Sequence, residues 1–447
     1  MFQMETETIA LNESLCNTMY IGISDGDYFM ENSCYSIESM WDEEKKIFLN
    51  KALVKVSYVP TNISDALHRE DVIKKMQRCL IDVSKNLAPN NIIVYGKMGT
   101  GKTMITKLVL NDLERVAAKK RVKLTTIYIS CEDANSENGV LGLINNNLMF
   151  ELLGKFREKI GNSISRNTFN FKKLFNELDG ILIIVLDEID KIKNPDLINK
   201  LARSISEKTG QPPCLICITN DINFKDDLKG HTKSVLAESE IQFNPYNAEQ
   251  LNNILDARVE KAFYPGVVVD MVVPLISALC AQENGDARKA INLLCKSGEI
   301  AEEKLKNVIK EEDVREANDR LELDRLTSII ETLPTQSKLT LLTASVLSEN
   351  SPKNECTTGE IYNIYKQYAH LIDIDILTQR RITDLISELD SLGIINAIVK
   401  SNGRYGKTKV ISMQGSKQII RHVLLQDYRL KSLEGNLLQN CFRNNLN

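Results

Sequence analysis

The stretch IIVYGKMGTGKTMIT, residues 92–106, constrains the fold more than any other part of the chain. A short apolar run leads into a glycine-rich turn, and an apolar helical pattern follows a Lys-Thr pair. Gly96, Gly99 and Gly101 lift the steric limit on the backbone, so successive N–H groups can curve around an anion. The helix that follows points its positive end at the same place. Gly96-Lys97-Met98-Gly99-Thr100-Gly101-Lys102-Thr103 satisfies the pattern G-x-x-x-x-G-K-[ST]. Lys102 is expected to reach the β- and γ-phosphates of a nucleotide, and Thr103 to hold Mg²⁺. The alternative is a plain strand–turn–helix with no ligand.

A motif of this kind needs a parallel sheet, and the chain supplies strands for one. Strands are predicted at Ile92–Tyr95, Thr125–Ser130, Ile181–Leu186 and Cys214–Thr219, alternating with amphipathic helices from about 56 to 245. That alternation is the signature of an α/β fold with helices on both faces. The run ILIIVLDEIDKI, 181–192, ends in Asp187-Glu188. In a P-loop sheet this strand is expected beside the P-loop strand, which brings Asp187 near the metal. Glu188 then orients or deprotonates an attacking water. CLICITND, 214–221, ends in Asn220, which sits beside the γ-phosphate if its strand neighbours that of Asp187. ENGDARKAINLL opens a helix at Gly285-Asp286 and puts Arg288 on its first turn, within swing of a phosphate oxygen.

Length and composition set the remaining limits. The 447 residues suggest roughly three domains. With 43% hydrophobic and 26% charged residues the chain has the make-up of a globular protein. The net charge is −4 and the pI about 5.8, so contact with nucleic acid must come from a local patch. No apolar run reaches the roughly 18 residues of a membrane span, and the acidic N-terminus (Glu5, Glu7, Glu13) does not read as a signal peptide. An intracellular protein is expected, and the ten scattered cysteines suit a reducing compartment. Cys214-Leu215-Ile216-Cys217 lies inside an apolar strand with no second pair, so neither zinc nor redox chemistry is expected of it.

The coarse organisation is an acidic arm at 1–55, a nucleotide-binding domain at 56–245, a helical lid at 246–325, a third domain at 326–415 and a tail at 416–447. The arm holds Asp25, Asp27, Glu31, Asp42, Glu43, Glu44 and the lone Trp41, with a short helix expected over 43–54. Asn247-Ala248-Glu249-Gln250 reads as a capping box that starts the lid. In the third domain Ile382, Leu385, Ile386 and Leu389 recur at helical spacing. Arg380, Thr383 and Ser387 fall on the other face of that helix, with Gln379 and Arg381 at its start. A hairpin around Asn402-Gly403 follows, with Lys400, Arg404, Tyr405, Lys407 and Lys409. A helix followed by a basic hairpin is the footprint of a winged helix that binds DNA. Asp384, Glu388 and Asp390 leave open a winged helix that binds protein instead.

Taken together, these residues resemble an AAA+ ATPase, and more narrowly the archaeal origin-recognition and cell-division-control replication initiators. The stretches that carry the likeness are HRED (68–71), YGKMGTGKT, VLDEIDKI, PYNAEQL (245–251), GDARKAINLL, LPTQSKLTLL (333–342), LTQRRITDLISELDSLGIINA (377–397) and GRYGKTK (403–409). The resemblance spans about 56–413. It implies an ATPase module, a helical lid and a C-terminal winged helix. It also implies binding of ATP or ADP with Mg²⁺, recognition of double-stranded origin DNA and loading of the replicative MCM helicase. Assembly into a homo- or hetero-oligomer on DNA, slow hydrolysis that works as a switch, and a cytoplasmic, nucleoid-associated location belong to the same picture. Position by position, it makes Asp187 and Glu188 the Walker B acids, Asn220 sensor 1 and Arg288 sensor 2, and it puts Val59, Pro60, His68 and Arg69 near the adenine.

Two stretches depart from the family. Where an arginine is usual after sensor 1, Lys229-Gly230-His231-Thr232-Lys233 places His231, and a neutral imidazole carries no fixed charge. NSENGV (135–140) lacks the usual Tyr-Arg of the initiator-specific insertion. A nucleotide-gated DNA-binding regulator that never loads helicase therefore stands as an alternative, as does a signalling ATPase whose winged helix only packs internally.

Overall fold

The first sheet has five parallel strands: β1 (Ile92–Gly96), β2 (Leu124–Ser130), β3 (Ile181–Asp187), β4 (Cys214–Thr219) and β5 (Ser239–Phe243), in the spatial order β2-β3-β4-β1-β5. The coordinates are a computed structural model, and it describes residues 47–154, 163–236, 239–351, 354–401 and 407–433. Every residue of β3 and β4 is buried, as strands with helices on both faces must be. Alternate side chains then enter different cores. Leu182, Ile184, Leu186, Leu215 and Cys217 pack on one face, and Ile183, Val185, Cys214, Ile216 and Ile218 on the other.

The order of strands corrects one expectation. β3 does not lie beside β1, because β4 sits between them: Ile92 pairs with Ile216, and Ile184 with Leu215. Both β3 and β4 are uniformly apolar, so composition does not rank them. The less buried β2 takes the edge beyond β3. β5 is the strand the sequence hid, since SEIQF is short and half polar and the other edge of the sheet tolerates that.

The lid begins at the helix Ala248–Ala262, where Asn247 and Gln250 form the expected capping box. Helices Val272–Glu283 and Ala287–Glu303 complete it together with the first half of Glu311–Thr332. Val314 and Ala317 of that last helix belong to the lid core, whereas Leu326 and Ile330 belong to the third domain. The expected boundary at 325 thus falls inside one continuous helix. The arm also ends earlier than expected. Ile47, Phe48 and Val54 are buried in the lid core, with the Phe48 ring 4.8 Å from that of Phe263. Gly298 makes room for this ring, since a Cβ there would lie 2.4 Å from Phe48. Only Lys51–Val54 is helical, as a single 3-10 turn, and residues 1–46 lie outside the described residues.

The third domain packs helices Thr335–Asn350, Thr358–Leu371 and Gln379–Ser391 against an antiparallel sheet, β6 (Glu355–Thr357), β7 (Ile395–Ser401) and β8 (Lys407–Met413), in the order β6-β8-β7. Ser401 pairs with Lys407, so β7 and β8 form the expected hairpin. The tail contributes more than expected. Its helix Lys417–Leu424 places Ile420, Val423 and Leu424 in the domain core, and Leu430 and Leu433 follow them.

Phe48→Ala should therefore destabilise the lid by about 3–5 kcal/mol, the usual result of truncating a buried aromatic ring. Urea unfolding measures it, and a loss below about 0.5 kcal/mol, typical of surface positions, would return residues 47–54 to the arm.

Candidate functional site

The glycine-rich turn joins β1 to the helix Lys102–Lys120. Gly99 and Gly101 have φ of +69° and +91°, a region that side chains with a Cβ rarely enter. Gly99 has no room either, since a Cβ there would meet the Asp286 carboxylate at 2.0 Å or less. Lys102 is buried at the start of the helix. Its ammonium donates to the carbonyls of Gly96 and Lys97, both at 2.7 Å, and to Asn220 Oδ1 at 2.8 Å. Burial lowers its pKa to about 8 and Arg288 pushes the same way, against the pull of Asp187.

Because β3 borders β4, Asp187 and Asn220 emerge side by side at the same end of the sheet. Thr103 donates to Asp187 Oδ2 at 2.8 Å, and the Tyr128 hydroxyl donates to the same oxygen. Burial and the Asp187 charge hold the Tyr128 phenol protonated far above its ordinary range. The other Asp187 oxygen accepts from the Glu188 N–H at 2.9 Å. Asp190 fixes Asn220 by accepting from its N–H at 3.1 Å and from the Thr219 hydroxyl at 2.9 Å. Glu188 stands at a φ of +54°. Burial, with Glu132 and Asp187 beside it, raises its carboxyl pKa, and its Oε2 is buried with no hydrogen-bond partner among the described residues. A hydroxyl and a carboxylate on one hard-oxygen corner fit Mg²⁺, which keeps waters and phosphate oxygens for its other positions.

The lid closes the other side of the turn. Asp286 caps the helix Ala287–Glu303 by accepting from the N–H groups of Arg288 (2.7 Å) and Lys289 (3.1 Å), and the Ala287 N–H donates to the Gly99 carbonyl at 3.2 Å. Arg288 lines one cleft of about 170 Å³ together with Gly99, Gly101 and Thr103. Val59, Pro60, Met104, Ile254, Ala257 and Ile291 give the cleft apolar walls, and Asp65, Lys107, Arg258 and Lys261 line it as well. Apolar walls with a few cations beside the P-loop suit a nucleotide.

Val59 and Pro60 line the cleft, whereas His68 and Arg69 do not. His68 turns to Asn253, Nε2 to Nδ2 at 3.0 Å, and Arg69 is buried behind the P-loop. Lys97 reaches Asn284 at 3.3 Å and Met98 is exposed, and neither lines the cleft. Tyr128, Asp190 and Tyr246 were not legible as site residues. Tyr246 falls in the quoted PYNAEQL, Asp190 in VLDEIDKI and Tyr128 in a predicted strand, but none of the three is assigned a role there. His231 is exposed on the helix Gly230–Leu236, 3.8 Å from Asp196, which also pairs with Lys229 at 2.9 Å. Ser136 of NSENGV caps a helix, Glu137–Leu153, by accepting from the Gly139 N–H at 3.1 Å. Cys214 and Cys217 point to opposite faces of the sheet, which rules out a shared metal.

On the winged helix, Ile382, Leu385, Ile386 and Leu389 are buried, and Gln379, Arg380 and Arg381 are exposed at the helix start. Thr383 donates to the Gln379 carbonyl at 2.9 Å, which ties its hydroxyl to the helix backbone. Arg381 leans towards Glu388 (3.5 Å) and Asp384 (3.9 Å). In the hairpin, Lys400 pairs with Glu355 at 3.4 Å, and Lys409 donates to Ser387 and so ties the wing to the helix. Arg404, Tyr405 and the side chain of Lys407 lie outside the described residues. No helix among the described residues is long and apolar enough to cross a membrane.

Three family models cover this architecture: an AAA domain at residues 87–224, the Cdc6 AAA+ ATPase-type lid domain at 252–319, and the CDC6 C-terminal winged helix domain at 328–423. The chain is 42% identical to ORC1-type DNA replication protein 1 of Methanosarcina mazei, over 87% of this chain and 93% of that protein. It is 41% identical to the ORC1-type DNA replication protein of Pyrococcus horikoshii, over 87% and 92%. The structure of the Aeropyrum pernix ORC1 protein in complex with DNA aligns with a TM-score of 0.73 at 36% identity, over 87% of this chain and all of that one. With sheet, lid and winged helix in family order and about 40% identity over most of the length, the chain belongs to the family of ORC1-type DNA replication proteins.

Proposed function

We propose that the protein is a replication initiator that holds ATP or ADP with Mg²⁺ in the cleft between P-loop and lid, binds double-stranded origin DNA through its winged helix, and recruits or loads the replicative helicase. The observation that carries the reading is that Lys102 bonds Asn220 and Thr103 bonds Asp187 at the mouth of the P-loop, while Thr103 and Arg288 line the adjoining cleft, in a chain 36% identical to an ORC1 protein whose structure holds DNA. Thr103 and Asp187 hold the metal, which when bound neutralises phosphate charge. Lys102 leaves the loop carbonyls for phosphate oxygens, and Arg288 offsets charge from the lid side. Glu188 orients the attacking water and accepts its proton, and Asn220 aligns it. Turnover is slow, and nucleotide state acts as a switch. Gln379, Arg380, Arg381 and Thr383 read the major groove, and Lys400 and Lys409 of the wing hairpin meet the DNA backbone. His231 favours a second reading. Without an arginine at that position, one subunit has no fixed charge to offer a neighbour's nucleotide, as in a DNA-binding regulator that does not load helicase.

The pKa of Lys102 gives the nucleotide reading a pH signature. Its folded value lies below the ordinary 10.5, at about 8. Between these two values the unfolded chain binds the extra proton, so this group makes stability rise with pH across that window. Phosphate binding needs the ammonium and must take the proton back. ADP affinity should therefore be level below pH 7.5 and fall by up to about tenfold per pH unit above 8, and Lys102→Met should abolish the slope. Titration with a fluorescent ADP analogue measures this, and a wild-type profile as flat as the mutant's would contradict it.

For DNA, Arg380→Ala should cost about 1–3 kcal/mol of preference for origin over random duplex, the range for one base-reading side chain. Lys400→Ala with Lys409→Ala should instead weaken both duplexes alike and flatten log K against log salt by nearly two units. Fluorescence anisotropy across a salt series, with and without ATP, tests both. An unchanged slope and unchanged preference would leave a winged helix that binds protein.

A further inference from the structure

We propose that Arg69 is a positioning residue that clamps the P-loop to the lid hinge, so that phosphate in the loop is felt at the joint. This rests on the nucleotide reading above and deepens it. Arg69 is 5% exposed and makes no ion pair with a carboxylate among the described residues. Burial lowers the pKa of its guanidinium. A buried cation with no carboxylate paired to it is costly, and here backbone carbonyls partly compensate it. Nε and Nη2 donate to the Thr100 carbonyl at 3.2 and 3.0 Å, and Nη2 also donates to the Asn244 carbonyl at 2.7 Å. The guanidinium lies 3.7 Å from the centre of the Tyr246 ring.

Each of these contacts has a consequence. The peptide unit between Thr100 and Gly101 is planar and trans, so its C=O and N–H point opposite ways. With the carbonyl drawn back to Arg69, the Gly101 N–H is turned away from it, towards the cradle side of the loop. A positive charge on the carbonyl also polarises that N–H, which strengthens it as a donor to an anion. Asn244 and Tyr246 lie between the end of β5 and the first lid helix, which is the joint between sheet and lid. Tyr246 carries the contact onward, because its N–H donates to the Gly285 carbonyl at 3.2 Å, one residue before the Asp286 cap. The Ala287 N–H then returns to the Gly99 carbonyl at 3.2 Å and closes the circuit on the loop. Only a planar fork with several donors spans two carbonyls and stacks on a ring at once, which lysine does not.

The test compares wild type, Arg69→Gln and Arg69→Lys by two readouts. Competition against a fluorescent ADP analogue gives affinities for ADP and for adenosine. Hydrogen exchange of the peptide spanning 243–250 is followed with and without ADP. A clamp on the phosphate side predicts that Arg69→Gln weakens ADP by about 10- to 100-fold, the loss of a charge-assisted contact, while adenosine binding is unchanged. It also predicts that ADP slows exchange at the hinge in wild type and not in the glutamine variant. Arg69→Lys keeps the charge and packing bulk, so it stays informative if the glutamine variant does not fold, and it should give the same pattern at smaller size. Equal losses for ADP and adenosine would place Arg69 with the adenine and overturn the clamp, as would ADP affinity and hinge protection equal to wild type. If wild type itself binds no ADP, the nucleotide reading falls and takes the clamp with it.

Discussion

The backbone of Gly99, Thr100 and Gly101 is the point on which the rest of this structure depends. The Gly99 carbonyl is held from the lid through the Ala287 N–H, and the Thr100 carbonyl by the buried Arg69. At Gly101 the Tyr246 hydroxyl stands so close that a Cβ would lie 3.3 Å from it. A side chain at Gly99 would collide with the Asp286 carboxylate, and both Gly99 and Gly101 take positive φ. With the loop held this way, its N–H groups are left for an anion.

The elements that built this site were legible to different degrees. The P-loop, the Asp187-Glu188 pair and Arg288 were readable because their chemistry is local: glycines, a lysine and carboxylates at strand ends. The order of β3 and β4 was not, because two uniformly apolar strands look alike and only the packing of helices on both faces decides their places. Tyr128 and Asp190 were invisible for a related reason. Each meets its partner, Asp187 or Asn220, across neighbouring strand ends, and no local pattern announces that.

Domain edges show the same limit. The helix Glu311–Thr332 gives its first half to the lid and its second to the winged helix, so no composition shift marks the border. Ile47, Phe48 and Val54 are few apolar residues beside a run of acids, and only the matching gap at Gly298 reveals their place. By contrast, the face Ile382, Leu385, Ile386 and Leu389 was plain from periodicity alone, and so was the exposure of Gln379, Arg380 and Arg381. One continuous helix joins the lid core to the core of the winged helix.

The crystal structure of the protein with Mg²⁺ and ADP tests the central claim most directly. The account predicts the adenine against Val59, Pro60 and Ile254, and the phosphates in the P-loop. Lys102 Nζ should have left the carbonyls of Gly96 and Lys97 for the β-phosphate, while Arg69 keeps both Thr100 and Asn244. A nucleotide bound elsewhere, or one seated in the loop with Lys102 still on those carbonyls and Arg69 turned to the base, would contradict it.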